Sequence, residues 1–178
     1  MYNPDYLNEE YLIIQNTTDS LLPLFHVNTP DSSWKVTGID FTFPQNTSMK
    51  AGEKVILTAM NPSFFRTKYG LNDSVQIFKY SGKISNGGEE IALWWFDREY
   101  TSSEGETFMP MVLIEAVDYK DSSPWPEAAD GYGHVLMRKE LREYANDYEN
   151  WGSGPDFPFY SSWGLADAGK QFVGFSVL

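Results

Sequence analysis

The chain has 178 residues, of which 42% are hydrophobic and 16% aromatic, so it is long enough to bury one sizeable core. Its 13 basic and 25 acidic residues give a net charge of −12, which disfavours nucleic acid and anionic membranes as direct partners. The lack of cysteine excludes a disulfide scaffold, a thiol nucleophile and a cysteine-ligated zinc site.

The two ends of the chain bear on where the protein works. No run approaches the roughly 20 apolar residues that cross a bilayer, so membrane insertion is not expected. Residues 1–5 lack the basic and apolar regions of a signal peptide. Either the protein is cytosolic, or the chain is one domain of a longer exported protein. The apolar ending at 172–178 favours the second alternative.

Short apolar runs separated by turn residues predict β-strands in the first third of the chain. The Asn16-Thr17-Thr18-Asp19 segment predicts a turn, because such side chains bond their own backbone. Gly38 permits a kink or bulge between two strands. The predicted strands cover residues 10–15, 21–27, 33–37, 39–43 and 53–60.

One short helix is predicted near residues 62–69. Asn61 is a favoured residue for capping a first turn, and Pro62 suits the first helical position. Gly70 is the residue type that most often follows the last helical turn. The sequence therefore predicts both ends of this helix.

The second half of the chain again predicts strands. Residues 83–85 and 89–96, separated by Asn86-Gly87-Gly88, carry the strongest hairpin signal in the chain. The polar stretch 97–110 predicts an extended hairpin or an insertion. Further strands are predicted at 75–80, 111–118 and 133–138.

The strand that ends at residue 96 is apolar on both faces. Strand alternation places Ala92, Trp94 and Phe96 on one face, and Ile91, Leu93 and Trp95 on the other. One face must be covered by the insertion or by the C-terminal tail, or it is an exposed contact patch. We expect residues 171–177 to form an added strand that helps to cover it, with an unstructured linker as the alternative.

Several motifs occur in an order that is similar to that of one known family. Over roughly residues 9–151 the chain resembles the lamin-tail domain. The resemblance implies an all-β, immunoglobulin-like β-sandwich at 1–151 with one short helix near 62–69. Residues 152–178 fall outside the resemblance, and we expect them to form an extended C-terminal tail that packs on the sandwich, because its end is apolar. The motifs are Asn16-Thr17-Thr18-Asp19, Trp34-Lys35-Val36, and residues 41–44, 47–53, 63–70, 86–89, 124–126 and 130–136.

The spacing of apolar residues and the resemblance predict different structures for the region from 137 to 151. The residues that recur at helical spacing are Met137, Leu141, Tyr144, Tyr148 and Trp151. The resemblance instead implies a strand through Arg138 and then an extended segment. We follow the resemblance and expect a strand at 132–138, with irregular chain and a short helical turn at 140–150.

The lamin-tail resemblance also implies a function. Its bacterial branch consists of non-catalytic modules of secreted or cell-surface multidomain proteins. The resemblance therefore implies an interaction or scaffold module that binds a protein or cell-envelope component and has no catalytic, cofactor-binding or metal-binding residues. The alternative is a carbohydrate-binding module attached to a hydrolase, with surface aromatic residues such as Trp95 as stacking platforms.

Residues that could support catalysis are few or scattered. The chain has two histidines, His26 and His134, and no G-x-S-x-G nucleophile motif. The turn at 131–133 lacks the lysine of a phosphate-binding loop. Three carboxylate pairs could resemble a hydrolase site, although acidic composition alone produces such pairs, and we predict no enzyme. These pairs are Glu89 with Glu90, Asp118 with Asp121, and Glu104 with Glu106.

Calcium is the one metal that the loops could attract. Asp118, Asp121, Asp130 and Asp147 are expected in loops, and hard cations prefer such oxygen ligands. Their spacing does not match a D-x-D-x-D-G calcium loop. We therefore interpret them as solvated turn residues and predict no metal site.

Overall fold

The chain is strand-rich, as expected for the all-β class. A computed structural model describes residues 9–132, 134–155 and 175–177. It contains one α-helix, α1 (Pro62–Tyr69), and two 3-10 turns at Glu127–Ala129 and Tyr148–Asn150. The strands are β1 (Tyr11–Asn16), β2 (Leu22–Pro23), β3 (Phe25–His26), β4 (Thr29–Ser33), β5 (Lys35–Thr37), β6 (Phe41–Thr42), β7 (Ser48–Met49), β8 (Lys54–Thr58), β9 (Gln76–Lys79), β10 (Gly88–Phe96), β11 (Tyr100–Thr101), β12 (Thr107–Phe108), β13 (Met111–Lys120), β14 (His134–Arg138), β15 (Trp151–Pro155) and β16 (Phe175–Val177).

Two four-stranded sheets carry the core. The first has the order β16-β1-β8-β9, with β1 and β8 antiparallel and both outer pairings parallel. The second has the order β13-β10-β5-β6 and is antiparallel throughout. The main core cluster takes residues from both sheets, among them Ile14, Leu57, Val36 and Ile91. Burying these side chains provides the main favourable free energy of folding.

A second apolar cluster lies on the other face of the first sheet. Ile13 and Ile56 contribute from the sheet, Phe65 from α1, and Val135 from β14. Every residue of β1 is buried. The central strand of this sheet is therefore covered on both faces, which explains its nearly continuous apolar sequence.

Helix α1 confirms the prediction from the sequence. The Asn61 side chain accepts a hydrogen bond from the Ser63 backbone N–H at 2.9 Å, and Pro62 is the first helical residue. Gly70 adopts the left-handed conformation (φ 60°) and donates to the Arg66 and Thr67 carbonyls. Both helix ends thus satisfy backbone groups that a helix leaves unpaired.

Gly38 forms a tight turn rather than a kink. Strands β5 and β6 pair with each other, and Gly38 lies between them with φ 88°. A Cβ atom at this position would lie 2.5 Å from the Glu90 carbonyl oxygen. Glycine is therefore required both by the backbone angle and by the approach of β10.

The predicted hairpin around Asn86-Gly87-Gly88 is wrong, because residues 83–85 form no strand. The Ile84 and Ser85 backbone N–H groups donate to the carboxylates of Glu10 and Glu89 instead of to a neighbouring strand. Strand β10 pairs with β5 and β13. Side-chain acceptors therefore replace a strand partner at this turn.

The stretch 97–110 was predicted to be either an extended hairpin or an insertion, and it forms an extended hairpin. It joins β10 to β13 and contains the short ribbon formed by β11 and β12. The expectations for 132–151 are also confirmed in outline. Strand β14 spans His134–Arg138, and a 3-10 turn is the one helical element that the structure assigns between 140 and 150.

The C-terminal strand is confirmed in part. Strand β16 pairs in parallel with β1, through Ile14, Gln15 and Asn16. It therefore extends the first sheet and does not join the sheet of β10, the strand that it was expected to help cover. The predicted positions 171–174 and the tail at 156–170 lie outside the described residues. Strand β15 begins at Trp151 and pairs with β14. In the described part of the chain, no helix is both long and apolar enough to cross a membrane.

Candidate functional site

The candidate surface lies at one end of the hairpin that β10 and β13 form. Its ladder pairs Trp94 with Leu113 and Phe96 with Met111, and these four residues define the outer hairpin face. The register shifts between Leu93 and Trp94, so that β13 has one extra residue there, Ile114, which packs against the main core. Such a bulge bends a strand and changes the direction of its side chains.

The outer hairpin face is only partly covered. Lys35 lies over the Phe96 ring at 5.2 Å, and the Trp94 indole N–H donates to the Thr37 hydroxyl at 2.9 Å. Met111 and Leu113 stay exposed, Leu113 at 47%. The apolar residues exposed at this end of the hairpin therefore belong to β13, whereas Trp94 and Phe96 of β10 are half-buried.

The segment 97–110, here called the arm, extends this surface. Tyr100 and Phe108 are cross-strand neighbours with ring centroids 5.2 Å apart, and each is about half exposed. The Asp97 backbone N–H donates to the Pro110 carbonyl at 2.9 Å, and the Ser102 N–H donates to the Glu106 carbonyl at 2.8 Å. These bonds order the arm although its two rings contribute little to the core.

Trp95 is placed differently from Trp94. It packs against the main core, with its ring centroid 6.4 Å from that of Trp34. A change at Trp95 therefore disturbs the core as well as any surface. Trp94, on the outer hairpin face, is the better candidate for a stacking residue.

The two histidines hold separate structural positions. His26 lies in β3, where its Nδ1 atom and the Thr29 hydroxyl are 2.7 Å apart. His134 starts β14, paired in register with Pro155, and its buried Nδ1 atom has no hydrogen-bond partner among the described residues. Among the described residues, neither histidine has a serine or carboxylate partner of the kind that a hydrolytic triad needs.

The three carboxylate pairs do not form paired sites. Glu89 accepts from the Ser85 N–H and the Tyr119 hydroxyl, whereas Glu90 is exposed on the opposite side of β10. Asp118 forms a 2.6 Å ion pair with Lys120. Glu104 and Glu106 are both exposed to solvent in the arm (97–110).

The four aspartates weighed for calcium do not come together as one group, and Asp118 lies in strand β13 rather than in a loop. Asp121 and Asp130 line one small cavity of about 20 Å³, which is room for about one water. Asp147 accepts from the Glu149 N–H at 3.0 Å and caps a 3-10 turn. Over the described ranges, no group of three or more His, Asp or Glu residues is arranged to hold a metal ion.

A buried carboxylate–tyrosine network connects the two sheets, and sequence reasoning missed it. Glu10 is buried and accepts from the Tyr80 hydroxyl at 3.1 Å and from the Ile84 N–H at 2.9 Å. Burial is the main cause that raises the pKa of Tyr80, and the nearby Glu10 carboxylate raises it further. Burial is likewise the main cause that raises the pKa of Tyr119, and the Glu89 carboxylate adds to it. Both hydroxyls therefore stay protonated and donate hydrogen bonds.

A second buried charge was also missed. The Arg138 side chain is fully buried, and its Nη1 atom lies 2.6 Å from Glu115 Oε1. Its Nη2 atom donates to the carbonyls of Leu141 and Glu143, and the guanidinium lies 5.9 Å from the Trp151 ring centroid. This arrangement holds β13, β14 and the following loop together.

Comparisons with known proteins give no family assignment. No protein-family model matches the chain, no curated protein matches it, and no solved structure matches it. The lamin-tail resemblance therefore stays a prediction from the order of the sequence motifs.

Proposed function

We propose that the chain is a lamin-tail-like, immunoglobulin-like β-sandwich that serves as a non-catalytic interaction module. The two sheets that share a core are the layers of this sandwich. The module belongs to a longer, secreted or cell-surface bacterial protein, in which it contributes anchoring or scaffold geometry. The observation that carries the binding role is the exposed apolar surface of the outer hairpin face and the arm.

This surface suits a protein partner. Its residues lie on a hairpin that is tied to the core by a long ladder, so binding needs little ordering of the domain. Aromatic and methionine side chains are enriched at protein interfaces, and this surface offers Tyr100, Phe108 and Met111. The arm also carries exposed Glu99, and with it Glu104 and Glu106, which favours a partner with basic residues.

Binding to isolated bacterial envelopes tests the proposal. We expect Phe108→Ser and Leu113→Ser to weaken binding of the labelled domain by at least about tenfold, the size of effect that a central interface residue has. Phe64→Ser is the matched control, because Phe64 is 72% exposed but lies on α1. Treating the envelopes with protease should abolish binding.

Two results would contradict the proposal. One is equal binding by the wild type, the hairpin variants and the Phe64→Ser control. The other is binding that persists unchanged on protease-treated envelopes, since a protein partner would then be absent.

A carbohydrate-binding module attached to a hydrolase is the second candidate. The half-buried ring of Trp94 on the outer hairpin face favours it, because a sugar can stack on an aromatic surface. Binding to soluble polysaccharides should then be lost in Trp94→Ala and retained in Phe108→Ser. The reverse pattern, or no saturable binding, would exclude this candidate.

A further inference from the structure

A polar cavity of about 280 Å³ lies between the end of β1 and the loop after β14. One wall consists of Gln15, residues 16–18 and Gly52, and the other consists of residues 140–142. Pockets for drug-sized ligands begin at about 300 Å³. The volume corresponds to about nine waters, or to one covalent ring with about a dozen non-hydrogen atoms. The cavity therefore suits a ligand the size of a single sugar.

The first wall is held in place by Asn16. This residue is fully buried, and its Nδ2 atom lies 2.9–3.1 Å from the carbonyl oxygens of Ser20, Met49 and Lys50. Its Oδ1 atom accepts from the backbone N–H and the hydroxyl of Thr18. The turn that borders the cavity is thus fixed before any ligand arrives.

The second wall is held in place by Asn150. The Glu140 N–H donates to Asn150 Oδ1, and Asn150 Nδ2 donates back to the Glu140 carbonyl, both at 2.9 Å. Next along the chain, Leu141 is buried in the second apolar cluster. Binding here would therefore need little additional ordering of the protein.

Gln15 supplies the observation that points to a ligand. It is 8% exposed, and its Oε1 atom has no hydrogen-bond partner in the described part of the chain. Lys54 is the cross-strand neighbour of Gln15, and burial lowers the pKa of Lys54. A buried acceptor without a donor costs free energy, and a rotation of the Gln15 amide toward the cavity would let a ligand hydroxyl donate to it.

The remaining lining residues define the chemistry of the ligand. The formal charges of Glu140 and Arg142 cancel. An anionic ligand would be repelled by the Glu140 carboxylate, and a cationic ligand would be repelled by the Arg142 guanidinium. A hydroxyl group both donates and accepts, and therefore matches Gln15 Oε1, Thr18 and either charged group. We propose that this cavity binds a neutral polyhydroxylated small molecule, namely a single sugar or a polyol. The site is separate from the outer hairpin face and does not depend on the function proposed for that surface.

Nuclear magnetic resonance titration of the ¹⁵N-labelled protein tests this site. The probes are glucose, mannose, galactose, N-acetylglucosamine and glycerol, each up to about 100 mM, which saturates a site with a Kd of about 1 mM. Phosphate and lysine serve as charged comparisons. We expect at least one neutral probe to shift the side-chain amide signal of Gln15 and the backbone signal of Thr18 in a saturable way.

Two variants separate binding from stability. Gln15→Leu should weaken the binding of that probe at least about tenfold without lowering Tm, because it removes an unpaired acceptor. Gln76→Leu is the matched control, since the Gln76 amide donates to the Ser48 carbonyl and to Glu53. It should lower Tm and leave binding unchanged. A second binding variant, Arg142→Gln, alters an exposed residue and should also weaken binding.

Three outcomes would overturn the inference. The first is that no neutral probe gives a saturable shift at Gln15. The second is equal affinity in the wild type, Gln15→Leu and Arg142→Gln. The third is tighter binding of phosphate or lysine than of every neutral probe.

Discussion

Replacing Arg138 with methionine should cost about 3–5 kcal/mol of the free energy of unfolding. The Arg138 side chain is 0% exposed and its partner Glu115 is 12% exposed, with a 2.6 Å contact between Nη1 and Oε1. Methionine fills part of the volume but leaves the Glu115 carboxylate buried without its cation. Removing one member of a buried ion pair typically costs about 3–5 kcal/mol for this reason. For a chain of this length, the loss corresponds to about 6–20 °C in Tm.

The ion pair between Lys120 and Asp118 provides a matched control. Its Nζ–Oδ1 distance is also 2.6 Å, but both side chains are about half exposed. An exposed pair contributes about 0–1 kcal/mol, so Lys120→Met should shift Tm only slightly. The two variants together therefore separate the effect of burial from that of distance.

A double variant tests the physical reason. Arg138→Met combined with Glu115→Leu removes both charges, and we expect it to be more stable than Arg138→Met alone. Urea unfolding followed by tryptophan fluorescence and circular dichroism gives the free energies. The reasoning fails if Arg138→Met costs less than about 1 kcal/mol, or if the double variant is no more stable than the single one.

Two further predictions concern the backbone and the buried tyrosines. Gly38→Ala should lower the free energy of unfolding by about 2 kcal/mol more than Gly52→Ala. Both positions have positive φ, but of the two only a Cβ atom at Gly38 would clash with a backbone oxygen. Equal losses of the two variants in urea unfolding would argue against the clash. For Tyr80 and Tyr119 the folded-state pKa is raised above the ordinary value near 10. The contribution of these two hydroxyls to stability should therefore be fully present below about pH 9 and be lost as the pH rises further, because the unfolded state releases these protons first. The double variant Tyr80→Phe/Tyr119→Phe should show a shallower fall in alkaline urea titrations, and an unchanged slope would refute this cause.

Features that depend on neighbouring residues could be predicted from the sequence. Helix α1 is one example, because Asn61, Pro62 and Gly70 each act on the backbone within a few positions. The strand of residues 10–15 is another, since its apolar run is long and unbroken and forms β1 with a shift of one residue. The extended hairpin at 97–110 was predicted as one of two alternatives, because its polar composition breaks two apolar strands.

Features that depend on distant residues could not be predicted. The turn at Asn86-Gly87-Gly88 has a strong hairpin signal, but Glu10, more than seventy positions away, takes the Ile84 N–H that a strand partner would use. Likewise, no local pattern distinguishes Arg138 from an exposed arginine. The cavity beside Gln15 needs two loops that lie far apart in the sequence. In each case the deciding group reaches the site only through the tertiary fold.

The buried polar groups explain how an acidic chain keeps a well-defined pairing of its sheets. Apolar contacts alone tolerate small shifts between packed layers, because they are not directional. The Glu10 carboxylate accepts only when Tyr80 and the Ile84 N–H stand at the correct positions, and a carboxylate without these donors would be costly to bury. The same requirement applies to Glu115 and Arg138. These groups therefore select one arrangement of the strands. The resulting frame supports the exposed arm and the cavity beside Gln15.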